Sequence, residues 1–532
     1  MLPDMCKISG ELLPGVMHVA ARALAYHALS IFGDHSDVMA VRSAGWGMLC
    51  AASVQEAADL AVVAHLSAMA GSVPMLHFFD GFRTSHEIQR FEALDEDELR
   101  GLLPRTQIQQ FRARAMNPEH PHQQGTSQNP DVYFQGREAA NPYYFALPEI
   151  VQVQDTMNRV AALTGRPLRL FSYTGVPDAK KVLVLMGSGA ETAEETARAL
   201  MRTGEKVGVV RVRLFRPFSA EALLTAIPES AERIAVLDRT KESGALGEPL
   251  YLDVSAALFA AGRTAKVCGG RYGLGSKEFT PAMVKAVFDA LDTMEAGQHF
   301  TVGIDDDVTH LSLPIDAHFA LPDEGVISCK FFGLGADGTV GANKSAIKMM
   351  SAQTNRQVQA YFAYDSKKSG GYTVSHLRIG AAPIRAPYLI GQADFLACHQ
   401  PTLMNLDVSG CGGAERQAGR HGAAESPGRH GDSREAAPEH CDAPCAALHH
   451  RRGRNRGAVR LGRAHQYGHA DGFLPIKCLF AGRAAAAAAE RIGSGSVCEE
   501  GRAGRRGESE CNCEDGGCAA TSGRAAGMGG TA

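Results

Sequence analysis

The stretch KVLVLMGSGAETAEETARALMRTGEKVGVVRVRLF (181–215) decides the fold class of this chain. It opens with a continuous apolar run of strand length (181–187) and continues with an amphipathic helical pattern that stops at a glycine (191–204). A second strand pattern follows (206–215). A strand, a helix and a strand in this order predict a parallel βαβ unit.

The same alternation continues towards the C-terminus. RIAVLDRT (233–240) is an apolar strand pattern that ends in charged residues, and LYLDVSAALFAAG (250–262) has helical length and composition. Apolar runs of this length are typical of buried parallel strands. We therefore predict a doubly wound domain over residues 166–295.

Both flanking segments also indicate α/β structure. HVAARALAYHALSIF (18–32) predicts a helix and VPMLHFFDG (73–81) a buried strand, which gives a partial α/β domain over residues 1–165. VISCKFFGLGADGTVGANKSAIKMMSAQ (326–353) predicts a strand, a glycine-rich turn and a helix. QAYFAYDS follows as a strand, so a third α/β domain is expected over residues 296–405.

Composition favours a soluble, multidomain enzyme that acts on small molecules. The 532 residues have a formal net charge of -4, without a basic excess for nucleic acid. At roughly 100–200 residues per domain, about three or four domains are expected. No signal peptide or run of ~18 apolar residues is present, and the few cysteines before residue 406 form no CxxC motif, so a cytoplasmic protein is predicted.

The sequence changes character near Asn405. Residues 406–532 contain 25 Ala, 24 Gly and 16 Arg, but only 12 Ile, Leu, Val and Phe together. A disordered tail explains this composition. A single frameshift explains it as well, because a one-nucleotide offset permits structured readings of 448–471, 419–425 and 497–506. We prefer the frameshift. The cysteines of CNCEDGGC (511–518) lack the spacing of an iron–sulfur motif, so they are not expected to bind a cluster.

The glycine-rich turn GLGADGTVGANK (333–344) is a candidate phosphate site. Its glycines lie between a strand and a helix, where backbone N–H groups can approach a phosphate. After the next strand, Lys367 and Lys368 favour an additional phosphate, as in coenzyme A. Asp365 would suit a dinucleotide ribose instead, and a purely structural turn remains a further alternative.

Arg22 is a candidate for binding a substrate carboxylate. In the predicted helix, His18 and Tyr26 lie at i-4 and i+4 and form one polar line with it. A guanidinium can hold a carboxylate by two parallel hydrogen bonds. A buried structural ion pair is the competing interpretation.

Nine segments, in order, resemble the pyruvate:ferredoxin (flavodoxin) oxidoreductases of the 2-oxoacid:acceptor oxidoreductase family. The resemblance covers about residues 1–405. The segments are KISGELLPGV (7–16), HALSIFGDHSD (27–37), HFFDGFRTSHEIQ (77–89), QGREAANPYY (135–144), VRVRLFRPF (210–218), LDRTKE (237–242), GRYGLGSKEF (270–279), GLGADGTVGANK (333–344) and YDSKKSGG (364–371).

This resemblance implies an enzyme that oxidatively decarboxylates pyruvate on thiamine diphosphate with magnesium. Electrons would pass through [4Fe–4S] clusters to ferredoxin or flavodoxin, and the acetyl group to coenzyme A, in a cytoplasmic homodimer. It also implies a thiamine-enzyme-like first domain, a transketolase C-terminal-like second domain and a truncated coenzyme A-binding third domain.

By the same resemblance, Arg22 would bind the pyruvate carboxylate. The positions implied for coenzyme A are Gly335, Gly338, Thr339, Asn343, Lys367 and Lys368. No metal ligand is expected in this chain. Because the earlier part of the family's first domain, its cluster-binding domain and the domain that holds thiamine diphosphate and magnesium are not matched, the chain is expected to be an inactive fragment. A subunit of a split enzyme and a noncatalytic coenzyme A or dinucleotide-binding module are the alternatives.

Overall fold

Three β-sheets organise the part of the chain that the structure describes. A computed structural model describes residues 1–121, 125–139, 141, 144, 153–306, 308–322, 325–364 and 371–400, with a strand at 446–448. Every described residue belongs to one compact unit, Met1–Gly468. The predicted α/β class is confirmed.

The strands and helices are numbered in chain order. The strands are β1 (Val16–Ala21), β2 (Gly47–Ala51), β3 (Met75–Asp80), β4 (Ile88–Gln89), β5 (Phe171–Gly175), β6 (Lys181–Leu185), β7 (Val207–Val212), β8 (Leu214–Arg216), β9 (Arg233–Asp238), β10 (Lys266–Arg271), β11 (His299–Thr301), β12 (Val326–Leu334), β13 (Gln357–Tyr364), β14 (Tyr372–Gly380), β15 (Phe395–Cys398) and β16 (Ala446–Leu448). The helices are α1 (Leu2–Gly10), α2 (Ser36–Ala40), α3 (Val54–Gly71), α4 (Glu96–Leu102), α5 (Arg105–Ala113), α6 (Pro130–Ala139), α7 (Val153–Thr164), α8 (Gly189–Arg202), α9 (Ala220–Ala226), α10 (Pro249–Ala260), α11 (Pro281–Ala290) and α12 (Thr339–Gln353).

The second sheet contains the βαβ unit that the sequence predicts. Its strand order is β11-β10-β9-β6-β7-β5, and β6 pairs in parallel with β7 and β9. Helix α8 connects β6 to β7, as a parallel connection requires. The predicted strands and helices of this region are therefore confirmed with small shifts at their ends, except that the single strand predicted over 206–215 is wrong: it breaks at Arg213 into β7, which stays in this sheet, and β8, which pairs with β2 of the first sheet.

Alternate residues of β6 face two different hydrophobic cores. Val182 and Val184 belong to the core shared with the first sheet, whereas Leu183 and Leu185 belong to the core under α8 and α11. All four side chains are fully buried. A strand whose side chains alternate between two buried faces reads as a continuous apolar run.

The first sheet has the strand order β1-β3-β2-β8. Its first three strands are parallel, while β8 pairs antiparallel with β2. Strand β8 directly follows β7 of the second sheet, so consecutive strands join the two sheets. Their shared core includes Phe78 and Phe215, both fully buried.

The third sheet has the strand order β16-β15-β12-β14-β13-β4. Strand β14 pairs antiparallel with both β12 and β13. The predicted strand, turn and helix appear as β12 and α12, and the next predicted strand as β13. Because β4 and β8 enter sheets built mainly from other segments, the domain borders at residues 165 and 295 stay predictions.

The helix predicted for residues 18–32 is wrong. Residues 16–21 form strand β1, which pairs with β3 from Val16 to Ala21, and a loop follows. Alanine and leucine favour a helix locally, but six residues of parallel pairing next to a buried strand outweigh that preference.

Two further findings concern membrane-spanning helices and the C-terminal tail. Among the described residues, no helix has both the length and the apolar character needed to span a membrane. The predicted frame break at Asn405 and the cysteines of 511–518 lie outside the described residues. Of the predicted tail, the structure describes β16, which pairs in parallel with β15.

Candidate functional site

Polar side chains follow the carboxyl ends of parallel strands in the first two sheets. Arg22 follows β1, Asp80 ends β3, Ser188 follows β6 and Arg239 follows β9. Parallel strands of one sheet end on the same edge, which is where α/β proteins commonly bind ligands. The two edges face each other here, because Asp80 contacts both Ser188 and Arg239.

Asp80 is the centre of this junction. It is 2% exposed and pairs with Arg239 at 2.7 Å and with His35 at 2.5 Å, and it accepts a hydrogen bond from the Ser188 amide at 2.8 Å. Burial alone would raise the pKa of Asp80, but the charges of Arg239 and His35 hold it well below its usual range. A charged carboxylate therefore ties the first sheet to the second.

Arg22 lies in the loop after β1, half-buried, rather than in the predicted helix. Its amide donates to Asp37 at 3.0 Å and its Nη1 donates to the Ile31 carbonyl at 2.9 Å. Within the described residues the guanidinium makes this one hydrogen bond. Since it has five N–H donors, it can still bind a carboxylate through two of them. Its predicted polar line with His18 and Tyr26 is not formed by a helix.

An aromatic side chain supports Arg22 from one side. The guanidinium carbon lies 4.3 Å from the ring centroid of Phe82, whose φ of 58° is unusual for a residue with a side chain. The preceding Gly81 lies so close that a Cβ there would be 2.2 Å from the Ala21 carbonyl oxygen and 2.7 Å from the Arg22 Nε. The sequence DGF therefore shapes the surroundings of Arg22. We call these surroundings, formed by Ile31, Gly81 and Phe82, the Arg22 pocket.

His86 connects the Arg22 pocket with the third sheet's helix. Its ring stacks on Phe82 with centroids 4.4 Å apart and planes 10° apart. Burial and the charges of Arg22 and Lys344 lower the pKa of His86 below its usual range. Lys344 belongs to α12, the helix that follows the glycine-rich turn. A charged group of the candidate carboxylate site and a charged group of this helix therefore both affect the pKa of His86.

A second contact fixes all three sheets together. Arg83 forms a buried ion pair with Glu278, and its guanidinium lies 4.6 Å from the ring centroid of Tyr361 in β13. The Tyr361 hydroxyl donates to the Phe82 carbonyl, and the Leu389 amide donates to Glu278 at 2.9 Å. The position of Phe82, and with it the support of Arg22, depends on residues from each sheet.

Part of the predicted phosphate-binding backbone is already engaged. The amides of Leu334 and Thr339 each donate to the Asp337 carboxylate at 2.8 Å, and the Gly335 amide donates to the Gly371 carbonyl at 2.8 Å. Gly338 has a φ of 87° and directly precedes α12. The first backbone amides of a helix have no hydrogen-bond acceptor within the helix. Apart from the Thr339 amide, which already donates to Asp337, the first amides of α12 are therefore available to a ligand.

Asn343 and Thr339 lie buried on α12 beside that helix end. The Asn343 Nδ2 has no hydrogen-bond partner among the described residues, although the side chain is only 5% exposed. A buried amide without a partner is costly, and a bound ligand would satisfy it. The Thr339 hydroxyl hydrogen-bonds with His399 Nδ1 at 2.9 Å, a contact that the sequence pattern did not indicate.

Lys367 and Lys368 lie outside the described residues, as does Asp365. Their predicted contribution to a phosphate site is therefore untested. The ends of the segment are described: β13 ends at Tyr364 and Gly371 accepts the hydrogen bond from Gly335. The lysines thus belong to a six-residue segment, 365–370, that ends beside the glycine-rich turn at Gly371.

A buried charge cluster was missed by the sequence reasoning. Glu56 pairs with Arg213 and lies 3.4 Å from Arg211, which also pairs with Glu194 at 2.8 Å. Burial alone would raise the pKa of Glu56, but the two arginines lower it to about 2. Two arginines within an otherwise apolar strand, VRVRLF, were the available signal, because a buried arginine needs an acidic partner.

The charge cluster borders a cleft of about 1280 Å³. The cleft is lined by the N-terminal end of α3, by β5 and α8, and by the loop at 383–385 of the third sheet. Glu191 lines it as well, and burial together with Glu56 and Glu194 raises the pKa of Glu191 to about 7 despite Arg211.

The described residues contain no set of ligands for an iron–sulfur cluster. Their cysteines are free, and no group of three or more His, Cys, Asp or Glu side chains in this part of the chain is arranged to hold a metal ion. The free cysteines are Cys6, Cys50, Cys268, Cys329 and Cys398.

Three family models match the chain in succession. "Pyruvate flavodoxin/ferredoxin oxidoreductase, thiamine diP-bdg" matches residues 1–155, "Pyruvate:ferredoxin oxidoreductase core domain II" matches 179–284, and "Pyruvate ferredoxin/flavodoxin oxidoreductase" matches 328–415. The last match ends ten residues beyond the predicted frame break. All three therefore fall on the part of the chain in which the sequence motifs lie.

Curated relatives are similar over the same extent. The pyruvate:ferredoxin oxidoreductase of Moorella thermoacetica is 60% identical over 402 residues, 76% of this chain and 34% of that protein. The pyruvate-flavodoxin oxidoreductase of Rhodospirillum rubrum is 58% identical over 417 residues, 77% of this chain and 35% of that protein. A solved 2-oxoglutarate:ferredoxin oxidoreductase from Magnetococcus marinus shows only 16% identity and a TM-score of 0.34, over 54% of this chain and 50% of that one.

The chain spans about a third of the length of these curated relatives. Within that third, three different family models fall in one consistent order, and identity remains well above half. The chain belongs to the pyruvate:ferredoxin/flavodoxin oxidoreductase family.

Proposed function

We propose that this chain forms the part of a pyruvate:ferredoxin or pyruvate:flavodoxin oxidoreductase that binds the pyruvate carboxylate and coenzyme A. The observation that carries the proposal is His86, whose ring stacks on the Phe82 ring that also lies against the Arg22 guanidinium, and whose pKa is lowered by burial and by the charges of Arg22 and of Lys344 on α12. A carboxylate-binding group and a phosphate-binding helix end near one side chain suit a reaction that transfers an acyl group from a 2-oxoacid to coenzyme A.

Arg22 would bind the carboxylate of pyruvate. The Ile31 carbonyl and the Phe82 ring fix its guanidinium, so little side-chain freedom is lost when a substrate binds. A bidentate contact orients the 2-oxoacid, because both carboxylate oxygens are held in one plane. Orientation of the adjacent carbonyl follows from that plane, which is how a binding arginine contributes to rate.

The glycine-rich turn and α12 would bind coenzyme A. Gly335 and Gly338 carry no side chain that would cover the turn, although the Gly335 amide is already bonded to the Gly371 carbonyl, and Thr339 and Asn343 supply polar side chains at the helix end. Lys367 and Lys368 would add positive charge for the phosphates. The buried Asn343 amide supports a ligand here, because it would gain the hydrogen bond that no described residue supplies.

The remaining cofactors and partners follow from the family. Thiamine diphosphate with magnesium supplies the chemistry that cleaves the bond between the carboxylate and the carbonyl carbon. Iron–sulfur clusters do not fit the described cysteines, so they would be held by other parts of a longer enzyme. We also propose ferredoxin or flavodoxin as acceptor, a cytoplasmic location and a homodimer, and we expect the chain alone to be inactive.

A chimaera tests this function directly. Residues 1–400 would replace the matching segment of the Moorella thermoacetica relative, whose identity of 60% makes the exchange conservative. We expect pyruvate-dependent and coenzyme A-dependent reduction of a viologen dye by the chimaera, and none by the chain alone. A folded chimaera that binds its cofactors but does not respond to pyruvate would contradict the proposal.

A further inference from the structure

Three histidines form a continuous chain of imidazole rings on the first sheet. The Nε2 atoms of His18 and His65 lie 3.1 Å apart, and the Nδ1 atoms of His18 and His77 lie 2.9 Å apart. His18 belongs to β1, His65 to α3 and His77 to β3. The catalytic proposals above use none of them.

The His18 and His65 rings are arranged as two ligands of one ion. Zinc–nitrogen distances of about 2.05 Å in a tetrahedron place two nitrogens about 3.3 Å apart, so the observed 3.1 Å needs only a small adjustment. Both side chains are exposed, which leaves the gap open to an ion from solution. Because one ring is fixed on a strand and the other on a helix, the pair is already oriented.

His77 occupies the position of an outer hydrogen-bond partner. A ligating histidine usually donates its second ring N–H to an acceptor, which fixes its orientation. If His18 binds an ion through Nε2, its Nδ1 carries the proton and donates to His77 Nδ1 at 2.9 Å. His77 is 1% exposed and lies in β3, inside the first sheet. Its ring therefore has little freedom to turn away from His18 and can accept this hydrogen bond in a fixed position.

We propose that His18 and His65 bind a divalent transition-metal ion of the zinc type through their Nε2 atoms, with His77 as a positioning residue. Imidazole nitrogens are preferred ligands of such ions. Only two protein ligands are involved, so water or another molecule completes the coordination. If His18 carries its proton on Nε2 in the free protein, that proton moves to Nδ1 and the proton of His77 moves from Nδ1 to Nε2, so that His77 becomes the acceptor. If His65 carries its proton on Nε2 instead, only His65 changes tautomer. All three rings stay neutral without net proton release.

The site is separate from the proposed pyruvate site. His18 precedes Arg22 by four residues, which is about 13 Å along an extended strand. Bound metal would connect β1 with α3 across the first sheet. Since Arg22 begins the loop after β1, the ion would restrict the strand from which that loop starts.

Zinc titration of the full chain tests the assignment. The sequence has seven histidines and eight cysteines after residue 405 that also bind zinc, so cysteines are first alkylated with iodoacetamide and bound equivalents are compared between variants. We expect His18→Gln and His65→Gln each to bind one equivalent fewer than the unsubstituted chain. His27→Gln, which replaces another exposed histidine, should bind the full number.

His77→Gln separates positioning from ligation. We expect the equivalent to remain with an affinity about 10- to 100-fold weaker, as for the loss of other outer partners. Circular dichroism checks that each variant is folded. If folded His18→Gln and His65→Gln bind as many equivalents as the unsubstituted chain with equal affinity, the site is refuted. Anomalous diffraction from zinc-soaked crystals provides a second test, since the absence of a peak between the two Nε2 atoms would also refute it.

Discussion

The guanidinium of Arg239 lies 2.7 Å from the carboxylate of Asp80, and this ion pair joins the first sheet to the second. Both side chains are at most 4% exposed. Asp80 ends β3, immediately before the residues that shape the Arg22 pocket, whereas Arg239 follows β9. A contact that stabilises the junction between the sheets therefore also determines where the loop that lies against Arg22 begins.

Removing the charge of Asp80 should destabilise this junction. We expect Asp80→Asn to lower the free energy of unfolding by about 3–5 kcal/mol, because it leaves buried Arg239 without its counter-charge. The fluorescence of Trp46, the single tryptophan, follows unfolding of the first sheet in urea. Asp178→Asn removes an exposed pair with Lys206 and should have little effect; equal effects of both substitutions would show that burial is unimportant here.

Glu191 should make stability decrease with rising pH. The pKa of its carboxyl is about 7 in the folded chain, compared with 4.5 for the unperturbed group. A raised carboxyl pKa favours the folded state while the group is protonated, so its contribution is lost as the pH rises from about 4.5 through 7. Glu191→Gln should match the unsubstituted chain at pH 5 and exceed it at pH 8, by on the order of 1–3 kcal/mol. Glu229→Gln, on the surface, is the control, and parallel pH profiles for all three proteins in urea would contradict the prediction.

Replacing Arg22 should impair pyruvate use in the active chimaera. Loss of a charge-assisted bidentate contact costs about 2–4 kcal/mol, so Arg22→Ala should lower kcat/KM for pyruvate roughly 30- to 1000-fold. Steady-state dye reduction at varied pyruvate measures it, with KM for coenzyme A as an internal control. Unchanged kinetics for pyruvate would show that Arg22 has only a structural role.

Gly81→Ala tests the Arg22 pocket without removing its charge. The added Cβ would lie 2.2 Å from the Ala21 carbonyl oxygen, so the backbone or the Arg22 side chain must move. We expect kcat/KM for pyruvate to fall at least 10-fold, since misplaced binding groups lose orientation. Gly101→Ala introduces a Cβ with nothing within 4 Å and should leave the kinetics unchanged. Equal activity of both variants would mean that the close packing at Gly81 does not position Arg22.

The two lysines predicted for coenzyme A should act through charge. Lys367→Ala combined with Lys368→Ala should weaken coenzyme A binding in calorimetry, more strongly at low salt than at high salt, because screening reduces the lost attraction. Lys348→Ala removes an exposed lysine from α12 and serves as the matched control. Affinity that is equal in both variants at every salt concentration would rule these lysines out, and tighter binding of NADH would favour a dinucleotide site.

The βαβ unit could be predicted from the sequence because its pattern is local. In the run KVLVLMG, the residues that enter the two hydrophobic cores are all apolar. In the helix after it, the helical period of apolar and polar residues is visible in the sequence alone. The glycine-rich turn was likewise predicted between a strand and a helix, and Gly335 and Gly338 do lie between β12 and α12, whereas Gly333 belongs to the strand and Gly341 to the helix. Periodicity and glycine placement are properties of neighbouring residues, so they can be read without knowledge of distant contacts.

The environment of Arg22 could not be predicted in this way. Its segment has the composition of a helix, yet Val16–Ala21 pairs with β3, which lies more than fifty residues further along the chain. The contacts of Glu56 with Arg211 and Arg213 are of the same kind, because they join segments about 155 residues apart. Local propensity differs by less than about 1 kcal/mol per residue, and strand pairing with burial exceeds it.

The sequence by itself determined the α/β class, the order of the βαβ elements and the family to which the motifs belong. Only the tertiary structure decided that Arg22 follows a strand, that Phe82 and His86 stack beneath it, and that Asp80 joins two sheets through Arg239. The physical reason is that a motif specifies residue types and local spacing, whereas the partner of a buried charge is selected by which strand ends meet when the sheets pack.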